Sequence, residues 1–476
     1  MSDSLPTGFA IRLGRQVRVE DDGAALVGGS PTRVLYLTEV ARAMIVGREL
    51  RTGDRASTAL ARRLLDTGMA YPLLDELPDA PPGTVTIVVP ARDRPGSLDR
   101  LLASAGGGVP VIVVDDCSQD PDPVAAVALS HGAQLVALPV NVGPAGARNA
   151  GLRRVQTPFV AFVDSDMVLD SQTIPLLMRH FADPSVALVG PRILGLGGAT
   201  PNWVARYEQV RSSLDMGRDP ALVRPLSPVA WLPAACMVAR VDALGEGFAV
   251  EMRVAEDVDL VLRLTGLGWS ARYEPAVLAW HEHRVRFTEW LGRKAFYGTG
   301  AQLLAARHPG AVAPAVLTPW SAGLVVALLA QRRWSIPVAL SLTGITAVRI
   351  ARRLPRSEHP LRMGVRLAVG GMVSALFQAS GLLLRHWWPV TLAAGLGSKR
   401  VRRASLVASV ADVVIEYSRT QPRLDPLRFG LLRRLDDLAY GAGVWFGAVT
   451  GRSIWSLLPT WRRAGAKGGR IRLGRR

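Results

Sequence analysis

Lysine is almost missing from this chain. Of 57 basic side chains in 476 residues, only Lys294, Lys399 and Lys467 are lysines, so the net charge of +18 is carried by arginine. Cysteine is as scarce: Cys117 and Cys236 cannot form a disulfide framework, and no Cys/His cluster has zinc spacing. That excludes disulfide-stapled secreted scaffolds and structural zinc modules. No glycine-rich dinucleotide fingerprint follows the first strong strand, which argues against a dinucleotide enzyme. Met1 to Gly8 lacks a basic stretch leading into an apolar run. No signal peptide is therefore expected, and the first two-thirds should stay in the cytoplasm.

What is present points to a large folded protein. With 49% hydrophobic and 20% charged residues, the chain can bury a substantial core and is not disordered. Its length suggests two or three units. A mean hydropathy of +0.20 is high for a wholly soluble enzyme, so part of the apolar surface is expected to face lipid. The positive charge admits nucleic acid, anionic lipid or phosphorylated ligands as partners. Because arginine concentrates beside the apolar C-terminal segments, anionic membrane lipids are favoured and nucleic acid is not.

Four regions follow from the patterning. Residues 8–78 carry short alternating strands, including one continuous alternating run over 8–19 that ends at an Asp21–Gly23 turn, and then two helical stretches. The Asp79-Ala-Pro-Pro-Gly83 segment is a linker. Residues 84–300 alternate apolar strands with helices, predicting an α/β domain with a parallel sheet covered on both faces, and ligands at the carboxyl ends of the strands. Residues 311–398 hold charge-free runs at 311–330 and 367–384, each long enough to cross a bilayer, and a shorter one at 335–348. Basic loops between them place the catalytic block inside a multi-pass membrane protein. Residues 399–476 form a basic, amphipathic C-terminal region, with an interfacial helix expected over 424–461.

The chemistry lies at the strand ends. The first strand ends in Pro90-Ala91-Arg92-Asp93-Arg94 and the second in Asp115-Asp116-Cys117-Ser118. Carboxylates there suit a nucleotide's base or ribose, although helix caps and turns use the same residues. The stretch from Asn141 through Arg148-Asn149-Ala150-Gly151 opens a helix with small residues, and Arg148 offers a fork for phosphate. Phe162-Val163-Asp164-Ser165-Asp166 is an apolar strand ending in Asp-x-Asp. That pattern chelates Mg²⁺ or Mn²⁺ beside a diphosphate, or caps a turn. Glu256-Asp257-Val258-Asp259 starts a helix, where an acid stays ionised as a base. His281 follows another apolar run, and imidazole suits Mn²⁺.

Taken in order, these motifs resemble the family 2 inverting glycosyltransferases of the GT-A fold, over about 84–300. The resemblance implies donor contacts from Pro90, Arg92, Asp93, Arg94, Asp115, Asp116, Arg148 and Asp164. It also implies a divalent metal on Asp166 and His281, and Asp257 as the base that deprotonates the acceptor. The Gln-x-x-Arg-Trp motif of processive synthases is missing after His281, so a long extruded polymer is not expected. The N-terminal block, with Gly29-Ser30-Pro31-Thr32-Arg33 and the later Leu64-Leu65-Asp66-Thr67-Gly68, resembles PqqD-type peptide-binding domains of small winged-helix-like fold. Joined to a family 2 transferase, it resembles the glycosyltransferases of the mycofactocin system. That implies glucose moved from UDP-glucose to a peptide-derived redox cofactor or its precursor. The alternatives are a cell-envelope or polyprenyl-linked acceptor, or a silent membrane scaffold that presents a peptide.

Overall fold

The computed structural model describes residues 4–197, 202–283 and 285–461. They divide into two compact units, one running to Trp290 and one from Leu291 onward, apart from a short exchange at 422–424.

The first unit begins with a small β-rich block. Strands β1 (Ala10–Leu13), β2 (Arg18–Glu20), β3 (Ala25–Gly28) and β4 (Arg33–Tyr36) lead into helix α1 (Glu39–Ala43), β5 (Glu49–Arg51), helix α2 (Arg55–Asp66) and β6 (Ala70–Pro72). The single alternating run expected over 8–19 is instead two strands in two different three-stranded sheets, β5-β1-β6 and β2-β3-β4. The chain turns at Gly14, whose N–H bonds Met69 O and whose carbonyl accepts from Val17, so the alternation continues while the partner changes. β3 pairs back on β2, Val27 opposite Arg18. Phe9, Ile11, Leu13, Val17, Leu26, Leu64 and Met69 share one core. Asp54 caps α2 in a capping box with Ser57.

The larger part holds β7 (Val85–Ala91), α3 (Pro95–Ala105), β8 (Val111–Asp115), α4 (Asp122–Ser130), β9 (Gln134–Ala137), α5 (Gly143–Leu152), β10 (Phe159–Val163) and β11 (Met167–Leu169). It continues through α6 (Thr173–Met178), β12 (Val186–Gly195), α7 (Trp203–Arg211), β13 (Ala221–Val223), β14 (Cys236–Arg240), α8 (Val241–Leu244), α9 (Glu256–Gly266) and β15 (Ser270–His281). Nine strands form one sheet in the order β11-β15-β12-β14-β10-β7-β8-β9, with β13 on β15. Alternate residues feed cores on both faces: Ile87, Val89, Val113 and Val163 on one side, Val88, Ile112, Val114 and Phe162 on the other. Both faces are covered, as expected, but the sheet is mixed rather than parallel. β14 runs antiparallel between β10 and β12, and β11 runs antiparallel to β15. The small block packs on this domain through α2. Arg62 makes a two-pronged pair with the fully buried Asp183, which Arg272 also contacts.

The second unit is helical. Helix α10 (Phe287–Arg307) leads into it, followed by β16 (Val316–Leu317), α11 (Pro319–Leu329), α12 (Ser335–Ala351) and α13 (Pro360–Gly381), which continues as a π-turn to His386. Then come α14 (Trp388–Gly397), α15 (Lys399–Thr420), α16 (Pro426–Thr450) and β17 (Thr460–Trp461), which pairs with β16. The membrane span expected over 311–330 is not a single helix. Pro314 and Pro319 lack N–H groups, Thr318 and Ser321 form a capping box, and only the 11 residues of α11 are helical. Among the described residues one helix, Pro360–His386, is long and apolar enough to cross a membrane, so the multi-pass arrangement does not follow. The amphipathic helix expected over 424–461 is α16, which buries Phe429, Leu432, Val444 and Gly443 within the unit. The rest of that basic region, 462–476, lies outside the described residues.

Packing of α12 and α13 is inverted relative to a soluble core. α12 buries Ser335, Ala339, Thr343 and Ala347 and exposes Ile336, Val338, Leu340, Ile345 and Val348. α13 buries Met363, Gly364, Ala368 and Ala375 and exposes Val365, Val369, Val373, Leu376 and Phe377. A Cβ on Gly364 would lie 2.4 Å from Ala347 O, so the helices touch backbone to backbone.

Candidate active site

The carboxyl ends of β7, β8 and β10 gather the polar residues. Beyond β7, Asp93 takes a left-handed conformation (φ 54°); its N–H bonds Ser118 Oγ at 3.0 Å and its Oδ1 accepts from Gln119 N at 2.7 Å. Arg92 stays half-exposed beside it, with Nε 3.3 Å from Asp93 Oδ2. Arg94 crosses to the β10 end, placing Nη1 3.3 Å from Asp166 Oδ2. Asp115 is buried, and its Oδ1 accepts from both the N–H and hydroxyl of Ser118. Asp116 differs from expectation. One of its carboxylate oxygens accepts from Val142 N, and the other from Gly143 N and Asn141 Nδ2. It serves as the cap that opens α5, because the unsatisfied N–H groups of a helix start compete for a nearby carboxylate.

Arg148 is a second correction. The sequence pattern predicts a fork open to phosphate; instead Arg148 is 3% exposed. Its Nη1 bonds Glu256 Oε1 at 2.9 Å, its Nη2 bonds Asp164 Oδ1 at 2.5 Å, and its guanidinium lies 5.4 Å from the Phe248 ring centroid. Burial alone would lower the pKa of Arg148, but Asp164 and Glu256 outweigh it and keep the group charged. Asp164 is pushed upward by burial, with Arg148 working against the shift. Neighbouring Asn149 donates to and accepts from the backbone of Phe248, both at 2.8 Å. Gly151 has no room for a side chain, since a Cβ there would meet Val88 Cγ1 at 2.4 Å. The Ala-Arg-Asn-x-Gly motif is therefore a clasp that locks α5 onto the sheet and onto the loop before α9.

The Asp-x-Asp turn meets His281 through strand register. Met167 of β11 pairs with His281 of β15, which brings Asp166 Oδ1 to 3.4 Å from His281 Nε2, each side chain 19% exposed. His281 Nδ1 is buried without a hydrogen-bond partner. A hard carboxylate and an imidazole converging where both are partly exposed suit Mn²⁺ or Mg²⁺, whose remaining positions a diphosphate and water can fill. Among the described residues no third His, Cys, Asp or Glu joins them.

Asp257 stands in the first turn of α9. Its Oδ1 accepts from Val258 N at 2.8 Å and its Oδ2 from Ala234 N at 3.3 Å. Burial, and then the charge of Glu256, raise its pKa to about 7, while Arg148 counteracts. Asp259 is fully buried against Arg263 and belongs to the helix, not to the cleft. The Arg148–Glu256 and Arg94–Asp166 pairs were not foreseen. Their partners are 108 and 72 residues apart, and no local pattern announces them.

Residues 86–245 match the glycosyl transferase family 2. The chain is 41% identical over 473 residues to the pre-mycofactocin glycosyltransferase of Mycobacterium tuberculosis, covering 96% of this chain and 98% of that protein. It is also 40% identical over 164 residues to the succinoglycan biosynthesis protein ExoO of Rhizobium meliloti, covering 33% of this chain and 44% of that one. Among solved structures, the mannosyltransferase of Pyrobaculum calidifontis in complex with GDP-Man and Mn²⁺ aligns with a TM-score of 0.37 at 18% identity, over 63% of this chain and 90% of that one. The protein is a glycosyltransferase that carries a family 2 domain over residues 86–245. Within that class it belongs to the family of the pre-mycofactocin glycosyltransferase, which it matches nearly end to end.

Proposed function

We propose that this enzyme transfers glucose from UDP-glucose, with inversion, to a mycofactocin precursor at an anionic membrane, and that it builds an oligosaccharide there. The observation that carries the reading is the convergence of Asp166 and His281 beside the clasp of Asp164, Arg148 and Glu256, one residue from Asp257. The near full-length likeness to the pre-mycofactocin glycosyltransferase supports the acceptor and favours it over an envelope glycan. The N-terminal block contributes a groove between β4 and α2, lined by Val34, Leu35, Leu60 and Arg63, that suits a peptide segment.

In this reading Arg92, Asp93 and Asp115 hold the nucleoside, and Pro90 shapes the strand end beside them. Arg94 faces the phosphates and holds Asp166 in place. Asp257 accepts the proton of the acceptor hydroxyl as that oxygen bonds the anomeric carbon. The bond from that carbon to the diphosphate breaks on the opposite face, and the nucleoside diphosphate leaves. Asp166 and His281 would hold a divalent metal, which supplies charge to offset that developing on the leaving group. Arg148 touches no ligand; it positions Asp164 and Glu256.

Membrane association draws support from the outward-facing apolar residues of α12 and α13 and from the one span-length helix. The test is mass spectrometry of small-molecule glycosides in a strain lacking the enzyme. Loss of the hexose ladder on the peptide-derived cofactor is expected; an unchanged ladder would refute the acceptor.

A further inference from the structure

We infer that the α11–α13 segment lies within one leaflet of an anionic membrane, with both ends of each helix at the same surface. This rests on the membrane association proposed above. Three observations carry it.

The first is the inverted packing. Between α12 and α13 the contact is made by Ala347, Ala351 and Gly364, while Ile336, Leu340, Ile345, Val369 and Phe377 point outward. Small residues at helix contacts and large apolar ones outside are the arrangement of helices surrounded by acyl chains. Hydroxyls in these helices are satisfied locally, as lipid requires: Thr343 donates to Ala339 O, Thr346 to Leu342 O and Ser380 to Leu376 O.

The second is helix length. α11 has 11 residues, which is about 16 Å and roughly half of the ~30 Å hydrocarbon layer. It cannot cross, so the exposed Arg332 and Arg333 that follow it stay on the side from which the chain arrives.

The third is charge, and it closes the remaining routes. If α12 crossed, Arg349 at its end, the turn carrying Arg352, Arg353 and Arg356, and Arg362 in the first turn of α13 would lie on the far side. If α13 crossed alone, Lys399, Arg400, Arg402 and Arg403 would lie there. Arginine-rich segments stay on the cytoplasmic side, where the lipid surface is negative. Only an in-plane arrangement keeps every basic segment on one side. In it the arginines meet anionic headgroups while the apolar faces enter the acyl layer.

The test uses the full chain in sealed membrane vesicles of both orientations. With Cys117 and Cys236 changed to alanine, single cysteines are placed at Ser130→Cys, Arg333→Cys, Arg356→Cys and Arg400→Cys, one per variant. A membrane-impermeant maleimide is expected to label all four from the same face. Labelling of Arg356→Cys or Arg400→Cys only from the face opposite Ser130→Cys would overturn the inference. A protease site inserted after Pro355 in the otherwise unaltered chain gives a second reading, with cleavage expected only from the Ser130 face. Flotation with phosphatidylglycerol vesicles separates the two claims. A chain that floats but labels from opposite faces keeps the membrane reading and loses this topology, and a chain that does not float loses both.

Discussion

Helices α9 and α12 solve opposite problems, the first with 11 residues and the second with 17. α9, in the catalytic unit, buries Leu260, Val261, Leu262 and Leu264 and holds two buried carboxylates, Asp259 against Arg263 and Glu256 against Arg148. α12, in the helical unit, buries serine, threonine and alanine and turns Ile336, Leu340 and Ile345 outward. The first is folded by expulsion of apolar surface from water. The second gains little from that and depends on close backbone contact and locally satisfied hydroxyls. In the membrane-associated reading proposed above, α9 and the α12–α13 pair are products of two solvents, and substitutions should fail in different ways in each.

The largest effect on stability is expected where charge is buried in the catalytic unit. Asp183 is fully buried; burial acts to raise its pKa, but Arg272 and Arg62 outweigh it and hold it down at about 2. Asp183→Asn should destabilise the unit by about 3–5 kcal/mol in chemical denaturation, because Arg272 is left buried without its counter-charge. The sign with pH follows. This contribution is fully present above the unfolded carboxylate value of about 3.9 and is lost as pH falls through about 2.

Next comes a matched pair that can break the comparison directly. Leu264→Ala should cost about 2–5 kcal/mol in denaturation, since Leu264 is 1% exposed in the core. Ile345→Ala, at a position 57% exposed, should leave denaturation in detergent unchanged and weaken flotation with vesicles. Equal loss of fold stability in both would erase the distinction between the units. Gly364→Leu sharpens it from the other side. With Ala347 O only 2.4 Å from the new Cβ, α12 and α13 must separate, at about 1–3 kcal/mol, visible as faster proteolysis of the hairpin.

Much of this was legible in the sequence where the signal is local. The apolar runs ending at Asp115, Val163 and His281 mark real strand ends, and Glu256 does begin a helix, because strand burial and the preference for acids in a helix's first turn act over a few residues. What is set by partners far along the chain was not. Gly14 redirects one alternating run into two sheets, and only the position of Met69 explains it. The antiparallel insertion of β14 cannot be read from its composition, since a strand buried on both faces looks the same in either direction. Asp116 and Arg148 were read as ligand contacts because their residue types suit phosphate and nucleoside. The helix start at Gly143 and the carboxylates of Asp164 and Glu256 take them instead. The 311–330 run was charge-free, but its prolines decided the outcome over its hydropathy.

The smallest expected effect is a shift along the pH axis. Burial first, and Glu256 second, raise Asp257 to about 7, so transfer should climb with pH through that value as the base loses its proton. Glu256→Gln removes the like charge and frees Arg148 to favour the carboxylate, so the acid limb should move to lower pH by about one unit. A limb that stayed in place would separate Glu256 from the base.

The central claim is that Asp257 takes the acceptor's proton in a site assembled around Asp166, His281 and the Arg148 clasp. Its most direct test is Asp257→Asn assayed for glucose transfer alongside calorimetric titration with UDP-glucose. Transfer should fall by about 10²–10⁴-fold, the range for loss of a general base, while donor affinity stays at the wild-type level. Wild-type transfer by that variant would remove Asp257 from the mechanism.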